Sequence, residues 1–265
     1  MAPGIEDTPL TPEPALGVST WNASIEGESQ ALARAAATAG LDAPVPTCPN
    51  WQVRDLLRHL GGVHRWATAH VADARSEPMP KDEEERLMTS YSGDDALLDW
   101  FRRGERSLRL ALATAPPDLR CWAFLPAPSP LAFWSRRQAH ETEIHRADAQ
   151  LATQAEISPF APRIAADGIE EMLFGFAARH RRMALPSELR MALLPQDLAE
   201  GWLVRLGTDG VTAVRGREDA DCRVSGTASQ LYLLLWNRLP DAALAVEGDR
   251  STLEIWRRSI RVRWD

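Results

Sequence analysis

The spacing of apolar residues changes once along this 265-residue chain, near Pro186, and that change limits the folds open to it. Before it, apolar residues recur every three or four positions over long segments, as helices with one buried face require. After it come short runs of alternating character, "GWLVRLGTDGVTAVRG" and "ADCRVSG", with Asp209-Gly210 as a hairpin signal. The layout predicts a flexible, proline-rich and acidic tail over residues 1–20, a helical domain over 21–185 and a small α+β domain over 186–265. The fold class is mainly α with an α+β part.

Within the helical part, "ESQALARAAATAG" reads as a helix stopped by Gly40. A second helix is expected from Trp51 with Asn50 as its cap, because Val53, Leu56, Leu57 and Leu60 fall on one face. Gly61-Gly62 would loosen its middle. "EPMPKDEEERLMTSYSG" reads as a charged connector. A third helix starts near Asp94 or Asp95 and stops before Pro116-Pro117, a fourth spans "LAFWSRRQAHETEIHRADAQLA", and a fifth spans "RIAADGIEEMLFGFAARHRRM". In the last part, "TASQLYLLLWNRL" is a helix, "ALAVEG" a strand and "DRSTLEIWRR" a final helix.

The net charge of −7, with no concentrated basic stripe, argues against a nucleic-acid partner. Lys81 is the only lysine, so the cationic residues are arginines, which suit carboxylate recognition. Cys48, Cys121 and Cys222 are scattered and odd in number, which argues against a disulfide framework. No segment reads as a membrane span or a signal peptide, so the expected setting is the cytoplasm and the expected state a monomer or homodimer.

The chemistry concentrates in "RRQAHETEIHRAD", residues 136–148. It looks like the zinc-protease signature H-E-x-x-H with one residue too many. His140 and His145 are five apart, so on a helix they diverge by about 140° and cannot share a metal. Glu141 and His145, four apart, do share a face and suit a divalent cation. Asp148 lies three residues beyond His145, placed to support it from the same side. A further ligand must come from another helix. His59, inside the apolar run of the second helix, is the better candidate; His64, past the double glycine, competes with it. A Glu/His pair at this spacing is also a common surface pair, and a histidine on an apolar face is more often a hydrogen-bonded core residue than a ligand. Spacing alone leaves the site open.

Two segments together, "TCPNWQVRDLLRHLGGVHRW" and "WSRRQAHETEIHRADA", resemble the mycothiol-dependent maleylpyruvate isomerase family, and "DADCRVSGTASQLYLLLWNRLPDAALAVEGD" resembles its C-terminal domain. The resemblance implies a DinB-like up-down four-helix bundle followed by a small sterol-carrier-like α+β domain. It also implies a divalent metal, zinc by preference, on His59, Glu141 and His145. Arg238 matches an arginine of the C-terminal domain that faces the metal cleft, a catalytic candidate able to grip a substrate carboxylate. The implied activity uses mycothiol as thiol cosubstrate for S-transfer to, or cis–trans isomerisation of, a small electrophile. The competing reading is a non-catalytic small-molecule or lipid-binding module, with a structural metal or none, its ligand held near Trp236.

Overall fold

The computed structural model describes residues 16–91, 93–181 and 183–262. Most of the expected tail lies outside these residues, and helix α1 (Val18–Ala39) starts within the rest of it. It starts there because Trp21 and Ile25 continue its buried stripe. Gly40, at φ 82°, ends it as expected. Helix α2 (Val53–Ala72) begins slightly later than the sequence predicts. Asn50 is not its cap: it holds φ 72° in the bend before the helix, and the N-cap is Gln52, whose N–H donates to Asp55 Oδ2 at 3.0 Å. The segment read as a connector contains helix α3 (Lys81–Met88), which buries none of its residues but carries Asp82, Glu83 and Glu84 in its first turn, where the helix dipole favours them.

Helices α4 (Leu97–Thr114) and α5 (Pro130–Ala152) complete the bundle. Both α1 and α2 pack against α4 and against α5, so α1 and α2 face each other across the bundle. Val53, Leu56, Leu57 and Leu60 are fully buried, in a cluster with Leu32 of α1, Phe101 of α4 and Ala149 of α5. Gly61 and Gly62 do not loosen α2. A Cβ at Gly61 would enter the Trp100 ring, and one at Gly62 would enter Met88, so these glycines let α4 and α3 approach closely.

The expected fifth helix is broken. Helix α6 (Pro162–Glu170) passes into a π turn, Glu171–Phe176, and a 3₁₀ turn, Ala177–Arg179. The chain then forms a five-stranded sheet in the order β3-β2-β1-β4-β5, from β1 (Leu189–Pro195), β2 (Trp202–Gly207), β3 (Gly210–Arg215), β4 (Cys222–Gly226) and β5 (Ala245–Gly248). Only β1 and β4 pair in parallel. The expected hairpin joins β2 to β3, but Gly207 pairs with Gly210, so the turn residues are Thr208 and Asp209. Gly210, at φ 120°, has His180 O where a side chain would be.

Helix α7 (Ala228–Leu235) stops earlier than its sequence suggests. Asn237 takes φ 59°, its N–H donates to Leu234 O at 2.9 Å, and the Arg238 N–H donates to Leu233 O at 2.8 Å. These paired bonds form a Schellman turn, which redirects the chain at Arg238. Helix α8 (Arg250–Ser259) follows β5. Trp202, Tyr232 and Trp256 join Trp134 and Leu173 in one continuous apolar core, which fixes the C-terminal unit against the bundle. Helix α5 is covered on nearly every side as a result, and its charged residues other than Arg136 are buried with it. No helix among the described residues is long and apolar enough to cross a membrane.

Candidate metal centre

Buried charge is costly unless paired, so the polar residues of α5 must find partners or a ligand. Three of the residues singled out in the sequence come together. His59 Nε2 of α2 lies 3.1 Å from Glu141 Oε1, and His145 Nε2 lies 3.2 Å from the same oxygen. One ligand atom from each lies within 4.8 Å of the others. A tetrahedral cation with bonds of about 2.0–2.1 Å would set neighbouring ligand atoms about 3.3–3.4 Å apart. The donor set suits a divalent cation, and both histidine-to-Glu141 spacings lie within a few tenths of an ångström of that value. Trp51 covers the group, its ring centroid 5.0 Å from that of His59 and 6.1 Å from that of His145.

Each ligand candidate is held from behind. His145 Nδ1 donates to Asp148 Oδ2 at 2.9 Å, which leaves Nε2 facing Glu141. Asp148 is fully buried and also accepts from Thr47 Oγ1 at 2.5 Å and from Arg238 Nε and Nη2 at 2.9 and 3.0 Å. The other oxygen of Glu141 accepts from Arg137, and Arg137 also binds Glu171 of the π turn. Burial works against the Glu141 carboxylate, but Arg137 and the two histidines overcome it and hold its pKa well below the usual value. Burial likewise opposes a charged His145, yet its bonds to Asp148 and Glu141 prevail and push it up to about 9. Asp148 is lowered by Arg238 and His145 in spite of its burial.

Arg238 lines the cleft from the turn after α7. Its Nε and Nη2 are engaged by Asp148, and its Nη1 donates to Trp236 O at 2.8 Å. Two other histidines stand apart from the cluster. His64 is fully buried, with Nε2 3.1 Å from Thr142 Oγ1. His140 is fully buried between Glu143 and Asp167, at 2.9 and 2.8 Å, with the Tyr232 hydroxyl 3.2 Å away. It serves the junction between the two halves of the chain. Arg137, Glu171, Thr47 and Trp51 were not found in the sequence. Only Arg137 had a readable signal, lying four residues before Glu141.

Two clefts meet at this cluster, and both are lined by His59 and Glu141. One, of about 1260 Å³, runs between the bundle and the C-terminal unit and includes His145, Arg238, Arg257 and Arg258. The other, of about 620 Å³, lies on the side of α3, and its surface is mostly apolar although Arg58, Glu84, Arg137 and Arg179 also line it.

Residues 23–150 match the Mycothiol maleylpyruvate isomerase N-terminal domain, and residues 163–254 match the MDMPI C-terminal domain. The chain belongs to the mycothiol maleylpyruvate isomerase family. Two solved structures of the mycothiol-dependent maleylpyruvate isomerase share its fold. One, of a point mutant, aligns at TM-score 0.61 and 12% identity, covering 88% of this chain and 93% of that one. The other aligns at TM-score 0.58 and 13% identity over the same shares. At such identity the likeness is one of fold, with a helical N-terminal domain and an α+β C-terminal domain. No curated protein matches the chain by sequence.

Proposed function

We propose that this protein is a divalent-metal-dependent enzyme, zinc being the preferred ion, that activates mycothiol and directs it at a small electrophile. The observation that carries this reading is the convergence of His59 Nε2 and His145 Nε2 on Glu141 Oε1 beside two clefts. Three protein ligands with open space beside them are the pattern of a catalytic metal site, not of a closed structural one. A cation held there stabilises the thiolate of a thiol that reaches it.

The chain's own residues do the rest. Asp148 fixes the His145 ring through Nδ1 and is itself fixed by Arg238 and Thr47, so Arg238 acts on the site by positioning His145. Arg137 and Glu171 fix the Glu141 carboxylate. Trp51 packs its ring beside the two histidines. A thiolate delivered there would add to an activated double bond and be expelled again after bond rotation, giving cis–trans isomerisation, or would stay on the electrophile while the carbon beside it takes up the proton the thiol had lost, giving S-transfer. Cys48, near the cleft, is unsuited to be the nucleophile, because burial and Asp148 push its thiol up to about 12.

The test is to measure the metal content of the purified protein and mycothiol conjugation of a simple electrophile. The expected result is about one zinc per chain, with conjugation that stops on chelation, returns with zinc and is lost in His145→Ala. No bound metal would favour a non-catalytic binding module. Conjugation undiminished in His145→Ala would sink the proposal.

A further inference from the structure

The smaller cleft has aromatic rings from three parts of the chain in its walls: Trp66 of α2, Tyr91 after α3, and Trp122 and Phe124 of the loop before α5. Walls of this kind suit a flat, apolar body. The volume of about 620 Å³ falls in the range of pockets that enclose a small organic molecule. Two of the arginines in the lining are already engaged by carboxylates. Arg58 pairs with Asp55 and Asp94, and Arg137 pairs with Glu141 and Glu171.

Three buried polar atoms of the same lining have no hydrogen-bond partner among the described residues. Gln138 is 1% exposed, and its Oε1 accepts no hydrogen bond. Trp66 Nε1 and Arg58 Nε donate none. Native proteins rarely leave such atoms unpaired, because their desolvation cost is then uncompensated. The shortfall is mixed, one acceptor and two donors. A carbonyl or an ether answers only the donors, and an ammonium group answers only the acceptor. A hydroxyl has one O–H to donate and two lone pairs to accept with, so it answers both kinds. Gln138 and Trp66 are also close in the fold: the Trp66 ring packs 4.9 Å from that of Trp134, one turn before Gln138 on α5.

We infer that this cleft is a binding site for a phenol, a flat aromatic ring that carries a hydroxyl group. The rings of the walls hold the aromatic body. The hydroxyl donates to Gln138 Oε1 and accepts from Trp66 Nε1. Arg58 Nε, whose guanidinium lies 4.7 Å from the centre of the Tyr91 ring, offers its N–H to an acceptor elsewhere on the ligand. Because His59 and Glu141 line the same cleft, the bound ring lies beside the candidate metal centre. Its binding needs neither a metal nor a thiol, so the inference stands apart from the proposed reaction.

The test is calorimetric titration of p-cresol and of 4-methylanisole into the purified full-length protein without thiol. The second probe is the first with its hydroxyl capped by a methyl group, so it accepts a hydrogen bond but cannot donate one. Saturable binding of p-cresol is expected, about tenfold tighter than that of 4-methylanisole, because the capped oxygen leaves the Gln138 acceptor buried and unpaired. In Gln138→Leu, which has no acceptor, the preference should fall below about twofold. Val63→Trp, which fills the cleft from α2, should abolish binding of both probes, with far-UV circular dichroism unchanged. No saturable binding of p-cresol to the wild type, equal affinity for the two probes, or a preference that persists in Gln138→Leu overturns the inference. The proposed reaction fails separately. A protein that holds no metal and conjugates no thiol but shows this preference keeps the cleft assignment. One that conjugates mycothiol but shows no preference loses it, and the thiol chemistry stands.

Discussion

His145 and Asp148, three residues apart on α5, are joined by a 2.9 Å bond from Nδ1 to Oδ2, and Arg238 closes on the far side of that carboxylate. The C-terminal unit thus reaches the candidate metal centre through a buried aspartate. Asp148→Asn keeps the shape but removes the charge that orients and polarises the ring. Loss of such a supporting acceptor weakens metal binding by about 10–100-fold. Zinc affinity, measured by competition with a chromogenic chelator, should fall by that factor in Asp148→Asn and by less in Arg238→Gln, because Arg238 touches the ring only through the carboxylate. Equal affinity in the wild type and Asp148→Asn would remove Asp148 from the site.

Arg137 is a stability prediction as well as a positioning one. Its side chain is 2% exposed and bridges Glu141 and Glu171, both 4% exposed. Arg137→Met leaves two buried carboxylates without their cation, and breaking a buried pair in this way costs about 3–5 kcal/mol. Urea unfolding of the metal-free protein should show that loss. Adding Glu171→Gln should return part of it, since one of the stranded charges is then gone. A loss under about 1 kcal/mol, the value of an exposed pair, would mean that water reaches these groups.

His64 predicts a pH effect. It is held neutral in the fold, lowered to about 3 by burial, with Arg65 and the two histidines of the centre adding to the shift and Glu141 opposing it. Unfolded, it takes a proton near its ordinary value of 6.5. The folded pKa is the lower one, so the His64 contribution is complete above pH 6.5 and is lost as pH falls from there toward about 3. The wild type should lose up to about 1.4 kcal/mol more per pH unit than His64→Gln on acidification through that window. Unfolding free energies of both metal-free proteins at pH 7, 6, 5 and 4 measure the difference. Parallel curves would show that His64 is solvated.

What could be read in the sequence was local. The α2 stripe of Val53, Leu56, Leu57 and Leu60, the four-residue step from Glu141 to His145 and the hairpin beside Asp209 each show within a few positions. The His59 contribution needed an apolar context in which an imidazole was out of place, and the family resemblance agreed with it. What was hidden depends on partners distant in sequence. Arg137 is explained by Glu171, which a π turn places, and Trp51 is explained by two histidines on different helices. Helix α3 was missed because it buries no side chain and so shows no apolar stripe, although its acidic first turn was visible. Gly61 and Gly62 misled for the same reason, since their meaning lies in Trp100 and Met88.

Gly61 sets two effects against each other. In the middle of an exposed helix, glycine to alanine gains up to about 1 kcal/mol, because alanine loses less backbone freedom on folding. At Gly61 the new methyl would enter the Trp100 ring. That ring cannot step aside freely: it is 5% exposed, the Arg65 guanidinium sits 3.7 Å from its centroid, and Tyr91 meets it edge-on at 5.8 Å. Forcing a methyl into a packed core costs about 1–3 kcal/mol, so the steric cost outweighs the helix gain. Gly61→Ala should be destabilised in urea unfolding, with a shift in tryptophan emission as Trp100 moves. Gly61→Ala with Trp100→Leu should lose less than the sum of the two single losses, because the smaller side chain leaves room for the methyl. A Gly61→Ala protein more stable than the wild type would show that α2 and α4 are not in this close contact.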